Sequence, residues 1–136
     1  MDAQKFTEKS ISAIENAHGE AVRLYNSELS TLHLLNALVI QENGLVSRIL
    51  EKMEIDSGKL IRDLQESLKS LPTLTNGSTG RVTPSGEMNL ALVRAEDEAK
   101  KLKDEYVSVE HLLLALTDEG DNGSAGKILS DSGVTR

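Results

Sequence analysis

The stretch Ser108-Val109-Glu110-His111-Leu112-Leu113-Leu114-Ala115-Leu116 decides the fold, because a related stretch, Ser30-Thr31-Leu32-His33-Leu34-Leu35-Asn36-Ala37-Leu38, stands 78 positions earlier in the same chain. One unit is used twice. In each copy a serine precedes an apolar helical pattern, the place from which a hydroxyl accepts from the free N–H groups of a helix's first turn. A histidine follows three places later, and a histidine in a first turn is read as a residue that hydrogen-bonds the helix end.

Outward from this pair, a shift of 78 aligns the halves without a gap from Thr7 opposite Ser85 to Leu38 opposite Leu116. Identities on that register include Ala17 with Ala95, Glu20 with Glu98, Ala21 with Ala99 and Leu24 with Leu102. A shift of 79 then pairs Asn43-Gly44 with Asn122-Gly123 and Ile49-Leu50 with Ile128-Leu129. Arg136 falls opposite Ser57, so the second copy stops where a fourth helix is due, and a domain of a longer polypeptide is expected.

Apolar residues at intervals of three and four predict the helices. The first carries Ile11, Ile14, Ala17, Ala21 and Tyr25 on one stripe, with a slight weakness near His18 and Gly19. The second runs from Ser30 toward Asn43-Gly44, a pair suited to closing a helix in left-handed conformation. A third carries Leu45, Val46, Ile49, Leu50 and Met53. A fourth, capped by Asp56 or Ser57, carries Leu60, Ile61, Leu64 and Leu68 and ends before Pro72. Residues 71–86, rich in Gly, Ser and Thr and containing Pro72 and Pro84, read as an exposed connector. Met88, Leu92, Ala95, Ala99, Leu102 and Tyr106 then restart the helical pattern. The expected fold is all-α: a tandem pseudo-two-fold repeat of a four-helix unit, with 1–70 as first repeat, 71–86 as connector and 87–136 as a truncated second repeat. Together these form one compact domain, since each half has an apolar face it cannot cover alone.

Composition agrees with helices. Of 136 residues 38% are hydrophobic, yet Phe6, Tyr25 and Tyr106 are the only aromatics, so Leu, Ile, Val, Met and Ala must build the core. A net charge of −7 argues against nucleic acid as a partner, which would need a basic patch. The absence of cysteine excludes disulfides, thiolate nucleophiles and cysteine metal sites. No apolar run has signal-peptide or membrane-spanning length, and a soluble cytoplasmic protein is expected, with no membrane partner.

Enzyme chemistry finds no support. The segment Gly120-Asp121-Asn122-Gly123-Ser124-Ala125-Gly126-Lys127-Ile128 lacks the spacing of a phosphate loop and is read as a turn between helices. His18, His33 and His111 do not show zinc-ligand spacing, and no nucleophile elbow or triad is present. Catalytic, cofactor-binding and metal-binding residues are all expected to be none. Glu110 stands in a first helical turn, where the helix dipole stabilises a carboxylate. With Asp104 it could form a polar edge for capturing another polypeptide. Glu96-Asp97-Glu98 reads as a solvated face.

The doubled unit, His-Leu-Leu in both copies, Phe6-Thr7-Glu8 and Glu110 to Leu116 together resemble the N-terminal domain of the Clp AAA+ chaperones, over essentially the whole chain. Leu71-Pro72, the connector, Pro84-Ser85 and Asp104-Glu105-Tyr106-Val107-Ser108 resemble the ClpB branch, the protein disaggregases. The resemblance implies a substrate-binding domain ahead of ATPase modules that bind ATP and Mg in a hexamer, acting on unfolded or aggregated proteins with the DnaK system. The isolated domain would be monomeric and free of ATPase activity. It further implies substrate-polypeptide binding by Thr7, Asp104 and Glu110. A leucine-lined groove of some relatives is altered, since its positions hold Arg94, Glu98 and His111 here. The alternative is a ClpC/ClpA-type domain receiving adaptors or degradation marks for a protease. The ClpC pattern places a Glu-His pair in each repeat, and here the first repeat has Leu32-His33, whose leucine cannot complement a guanidinium group.

Overall fold

In a computed structural model, residues 3–73, 82–118 and 123–134 are described. A short 3₁₀ turn, Ala3–Lys5, precedes α1 (Glu8–Arg23), β1 (Glu28–Leu29), α2 (Thr31–Ile40), α3 (Leu45–Lys52) and α4 (Ser57–Lys69). Then come β2 (Thr83–Pro84), α5 (Gly86–Lys101), α6 (Val109–Asp118) and α7 (Ser124–Asp131). The all-α expectation holds. The centre of the connector and the Gly120 to Asn122 part of the suspected loop lie outside the described residues.

Local chemistry sets the helix ends. Thr7 caps α1 by accepting from Ser10 N–H at 3.2 Å, and Ser85 caps α5 by accepting from Met88 N–H at 3.0 Å. Of the two candidates for α4, Asp56 is the cap, accepting from Lys59 N–H. Asn43 takes a left-handed φ of 53° after α2, whereas Gly44 does not and instead caps α3. At the C-terminal ends of α1 and α5, Tyr25 and Lys103 are left-handed, with φ of 58° and 59°. The next residues fold back, Asn26 N–H donating to Ala21 O and Asp104 N–H to Ala99 O, which closes both helices in the same way.

The core is shared between the halves. Every residue of α2 from Thr31 to Val39 is buried, because α1, α3, α4, α6 and α7 all pack around it. Ala13, Ala17 and Ala21 bring α1 against α2, and Ala91, Ala95 and Ala99 bring α5 against α6. Small side chains there let the paired helices approach closely.

Several expectations are corrected. Tyr25, Leu102 and Tyr106 are exposed, because their helices end before or at them and the left-handed turn carries the chain outward. Helix α1 passes His18 and Gly19 without a break. Glu98 is not solvated but 2% exposed, since one helical turn cannot present three consecutive residues to the same side and Glu98 falls beside buried Ala91 and Ala95. At the described ends of the connector, Pro72, Thr73, Thr83 and Pro84 are exposed as expected, while Leu71 and Val82 pack on the core, Asn26 Nδ2 donates to Pro72 O at 3.2 Å, and Thr73 bridges Asn26.

Two short parallel pairings, invisible to a helical reading, cross between the halves. Leu29 pairs Pro84 and Phe6 pairs Val107, positions related by the 78-residue shift. Correspondingly, Ser85 N–H donates to Leu29 O at 2.9 Å and Thr7 N–H to Val107 O at 3.0 Å. Each half thus holds the other at the start of its long helix. Among the described residues no helix is long and apolar enough to cross a membrane.

Candidate functional site at the start of helix α6

The closing turn of α5 aims Asp104 at the first turn of α6, where His111 is 1% exposed. Ser108 N–H donates to His111 Nδ1 at 2.8 Å, so this nitrogen carries no proton. The proton therefore sits on Nε2 and is donated to Asp104 Oδ2, also at 2.8 Å. Asp104 itself keeps a carboxylate that is 45% exposed. A buried imidazole thus holds an exposed acid in place.

Glu110 completes the group. The sequence predicts that Ser108 Oγ accepts from a first-turn N–H, but its hydroxyl donates to Glu110 Oε1 at 3.0 Å instead. The His111 N–H that such a cap would take donates to the Ser108 carbonyl oxygen at 3.1 Å. Glu110 is exposed and lies at the positive end of the α6 dipole. Ligand atoms of Asp104, Glu110 and His111 all lie within 4.8 Å of one another. They do not offer a metal an imidazole lone pair, because Nδ1 is occupied by Ser108 N–H and Nε2 is protonated toward Asp104. What they do offer is two accessible carboxylates for ammonium, guanidinium or amide donors.

Thr7, the cap of α1, follows the Phe6–Val107 pairing. Its hydroxyl accepts from Ser10 N–H and donates to Ser10 Oγ, which in turn donates to Val107 O at 2.7 Å. Thr7 is therefore tied to the residue before Ser108, while among the described residues no hydrogen bond joins it to Asp104 or Glu110. The structure brings the two acids together and ties Thr7 to Val107, not to either acid.

The first repeat contains the same construction with neutral partners. Ser30 N–H donates to His33 Nδ1 at 3.0 Å, and His33 Nε2–H donates to Asn26 Oδ1 at 2.8 Å. Here Ser30 Oγ does accept from the His33 N–H, so both histidines are helix-end residues but only the first capping box is complete. Buried His33 titrates below the ordinary histidine range because burial disfavours its charged form, an effect partly opposed by the Glu20 carboxylate. Asn26 and Leu32 occupy the places of Asp104 and Glu110, and Leu32 is buried. Asn26 and the role of both histidines as clamps were missed from sequence, although the shared spacing of seven from Asn26 to His33 and from Asp104 to His111 was available.

Of the three places at which the family resemblance implies an altered groove, Glu98 and His111 are buried and Arg94 is half-buried. Glu98 Oε1 lies 3.9 Å from Lys101 Nζ.

Comparisons with known proteins agree with this architecture. The model of the Clp repeat N-terminal domain matches residues 5–132. The chain is 34% identical over 138 aligned residues to the chaperone protein ClpB of Clostridium perfringens and 38% identical to that of Nitratidesulfovibrio vulgaris, covering 100% of this chain and 16% of each relative. It thus spans about a sixth of the length of these proteins. Among solved structures, the N-terminal domain of Hsp104 from Candida albicans superposes with a TM-score of 0.81 at 26% identity, covering 96% of this chain and 83% of that one. The N-terminal domain of the ClpV1 ATPase of E. coli gives 0.83 at 19% identity, covering 97% and 79%, a likeness of fold alone. A matching family model over nearly the whole length, on a helical architecture shared with solved N-terminal domains, places the chain in the Clp repeat N-terminal domain family.

Proposed function

We propose that this chain is the substrate-capturing N-terminal domain of a ClpB-type ATP-dependent protein disaggregase, and that Asp104 and Glu110, together with Thr7, bind segments of unfolded or aggregated polypeptide. One observation carries the assignment of residues: the second repeat exposes two carboxylates clamped around buried His111, where the first repeat has Asn26 and Leu32. Exposed acids held in fixed geometry meet donors on a partner without the cost of ordering free side chains. In this reading residues 1–70 and 87–136 are the two halves of one domain joined by 71–86, the domain is monomeric by itself, and it has no catalytic residue. ATP and Mg belong to AAA+ modules elsewhere in a cytoplasmic hexamer that works with the DnaK system. ClpB-named relatives support this choice. A ClpC/ClpA-type receptor for adaptors or degradation marks is the second reading, disfavoured by apolar Leu32 in the first repeat.

The test is capture of a permanently unfolded polypeptide, such as reduced and carboxymethylated lactalbumin, by the wild-type domain and by Glu110→Ala. Capture should weaken by about tenfold for loss of one charge-assisted contact, with the fold retained. Unchanged capture by the folded variant would reduce Glu110 to a helix-end role. Two tight sites for phosphoarginine in calorimetry would favour the second reading.

A further inference from the structure

A groove of about 320 Å³ runs between α1 and α2 on the first repeat, away from the acids of the second. Its α1 wall is a polar stripe including Lys9, Ser12, Asn16 and Glu20, and its floor includes Asn36 and Ala37 of α2. Asn36 is the unusual member. It is only 4% exposed, a burial that asparagine accepts when its amide is fully hydrogen-bonded. Gln65 Nε2 of α4 donates to its Oδ1 at 3.3 Å, but Asn36 Nδ2 donates to none of the described residues. Nor is that nitrogen among the fully enclosed unpartnered atoms, which are Thr31 Oγ1 and Ser132 Oγ, so it keeps an opening, and the groove that Asn36 lines provides it. The equivalent position in α6 is Leu114, so packing alone does not require an amide here.

We infer that the α1/α2 groove is a second polypeptide site, which binds an extended client segment through its main chain, with Asn36 Nδ2 donating to a carbonyl oxygen and Ser12 and Asn16 serving neighbouring peptide groups. The charges on the walls balance, Lys9 and Arg23 against Glu20 and Glu42, so the groove selects neither an anion nor a cation. Amides and hydroxyls that can both donate and accept match the alternating N–H and C=O of a peptide chain. Helix α2 is about 15 Å long at 1.5 Å per residue, the span of about four extended residues. Ile40, 59% exposed at one end, offers a single apolar contact for a side chain. Recognition of the main chain suits a domain that must hold many sequences. The proposal rests on the reading that this domain takes polypeptide clients, though not on the choice of Asp104 and Glu110.

The test is an NMR titration of the whole chain with a blocked hexapeptide of glycine, serine and alanine, which has a main chain and almost no side-chain chemistry. The Asn36 side-chain amide and the Ser12 and Asn16 backbone signals should shift in the wild type and in Glu110→Ala. Asn36→Leu, which copies Leu114, should weaken the interaction about tenfold, as loss of one buried hydrogen bond predicts. Exposed Asn16→Ala should weaken it without touching the core and decides the matter if Asn36→Leu fails to fold. Shifts confined to Asp104 and Glu110 would overturn the groove while leaving the proposed function standing. Shifts confined to the groove would support it, and would leave the acids to clients that carry ammonium or guanidinium groups. Undiminished shifts in both folded variants would overturn the inference.

Discussion

His33 and His111 hold the same place in two copies of one unit, and their partners make them different residues. Each accepts a backbone N–H at Nδ1 and donates from Nε2, but His33 donates to the neutral amide of Asn26 and His111 to the Asp104 carboxylate. Protonating His33 would place a second N–H against Ser30 N–H in a buried setting with no anion hydrogen-bonded to the ring. Its pKa is accordingly lowered from the usual 6.5, first by burial. The sign of the stability effect follows: above 6.5 folded and unfolded forms are both neutral, whereas below it the unfolded chain takes up a proton that the folded chain refuses. Stability should therefore fall as pH drops through 6.5, until the lower folded pKa is reached and the loss levels off. Urea unfolding of the wild type and of His33→Asn at about pH 7.5 and about pH 5.5 checks this, with the acid-induced loss expected to shrink in the variant. An equal loss in both would remove His33 as its source. At the same scale, Asp104→Asn should leave the fold intact, because an amide already does this duty at Asn26, yet should weaken polypeptide capture in a pull-down.

Helices differ in how much their ends tolerate. A Cβ on Gly44, the cap of α3, would lie 2.8 Å from Gln41 O, a backbone atom that cannot swing aside. Gly86, at the first position of α5, has nothing within 4 Å of such a Cβ. Gly44→Ala should thus destabilise by about 1 kcal/mol or more, while Gly86→Ala should stabilise by about 0.4–1 kcal/mol by restricting the unfolded chain. Opposite shifts in the denaturant midpoint are the measurement, and movement in the same direction would mean that the space around the two Cα atoms does not set their tolerance. In the last turn of α6, Leu116 is fully buried, and Leu116→Ala should cost about 2–5 kcal/mol in the same assay. Elements of this kind were legible in sequence because a stripe of Leu and Ala at helical spacing has one physical solution. The parallel pairings of Leu29 with Pro84 and Phe6 with Val107 were not, since a strand of two residues has no period to read. Glu98 was misjudged for a related reason: charge predicts exposure, but the stripe shared with Ala91 and Ala95 decided its side. Of the candidate site, the acids and the serine at the start of α6 were visible, while the bond that serine makes and the clamp by His111 depended on a turn that only the folded chain closes.

At the scale of the molecule the two halves are interlocked rather than stacked. Phe6 from the start of one half pairs Val107 of the other, and Leu29 pairs Pro84 in return. Helix α2 is buried from Thr31 to Val39 because it meets α6 and α7 of the second half as well as α1, α3 and α4 of its own. One cluster of buried side chains, from Phe6 to Val134, takes members from both halves. Separating the halves would expose the sides of α2 that face α6 and α7, while leaving the conformational entropy of ordering each half unchanged. Residues 1–70 expressed alone should therefore lack a cooperative thermal transition and a dispersed amide spectrum, and the whole chain should unfold in one step with coincident near- and far-ultraviolet dichroism. Mixing 1–70 with 82–136 should restore both signatures, because the crossed pairings and the shared core supply what each piece lacks. A sharp, independent melt of 1–70 would mean that its four helices suffice. The contacts of α2 with α6 and α7 would then dock two self-standing units, and Phe6→Ala, expected to cost about 3–5 kcal/mol in the interlocked case, would loosen the docking without lowering the stability of either half.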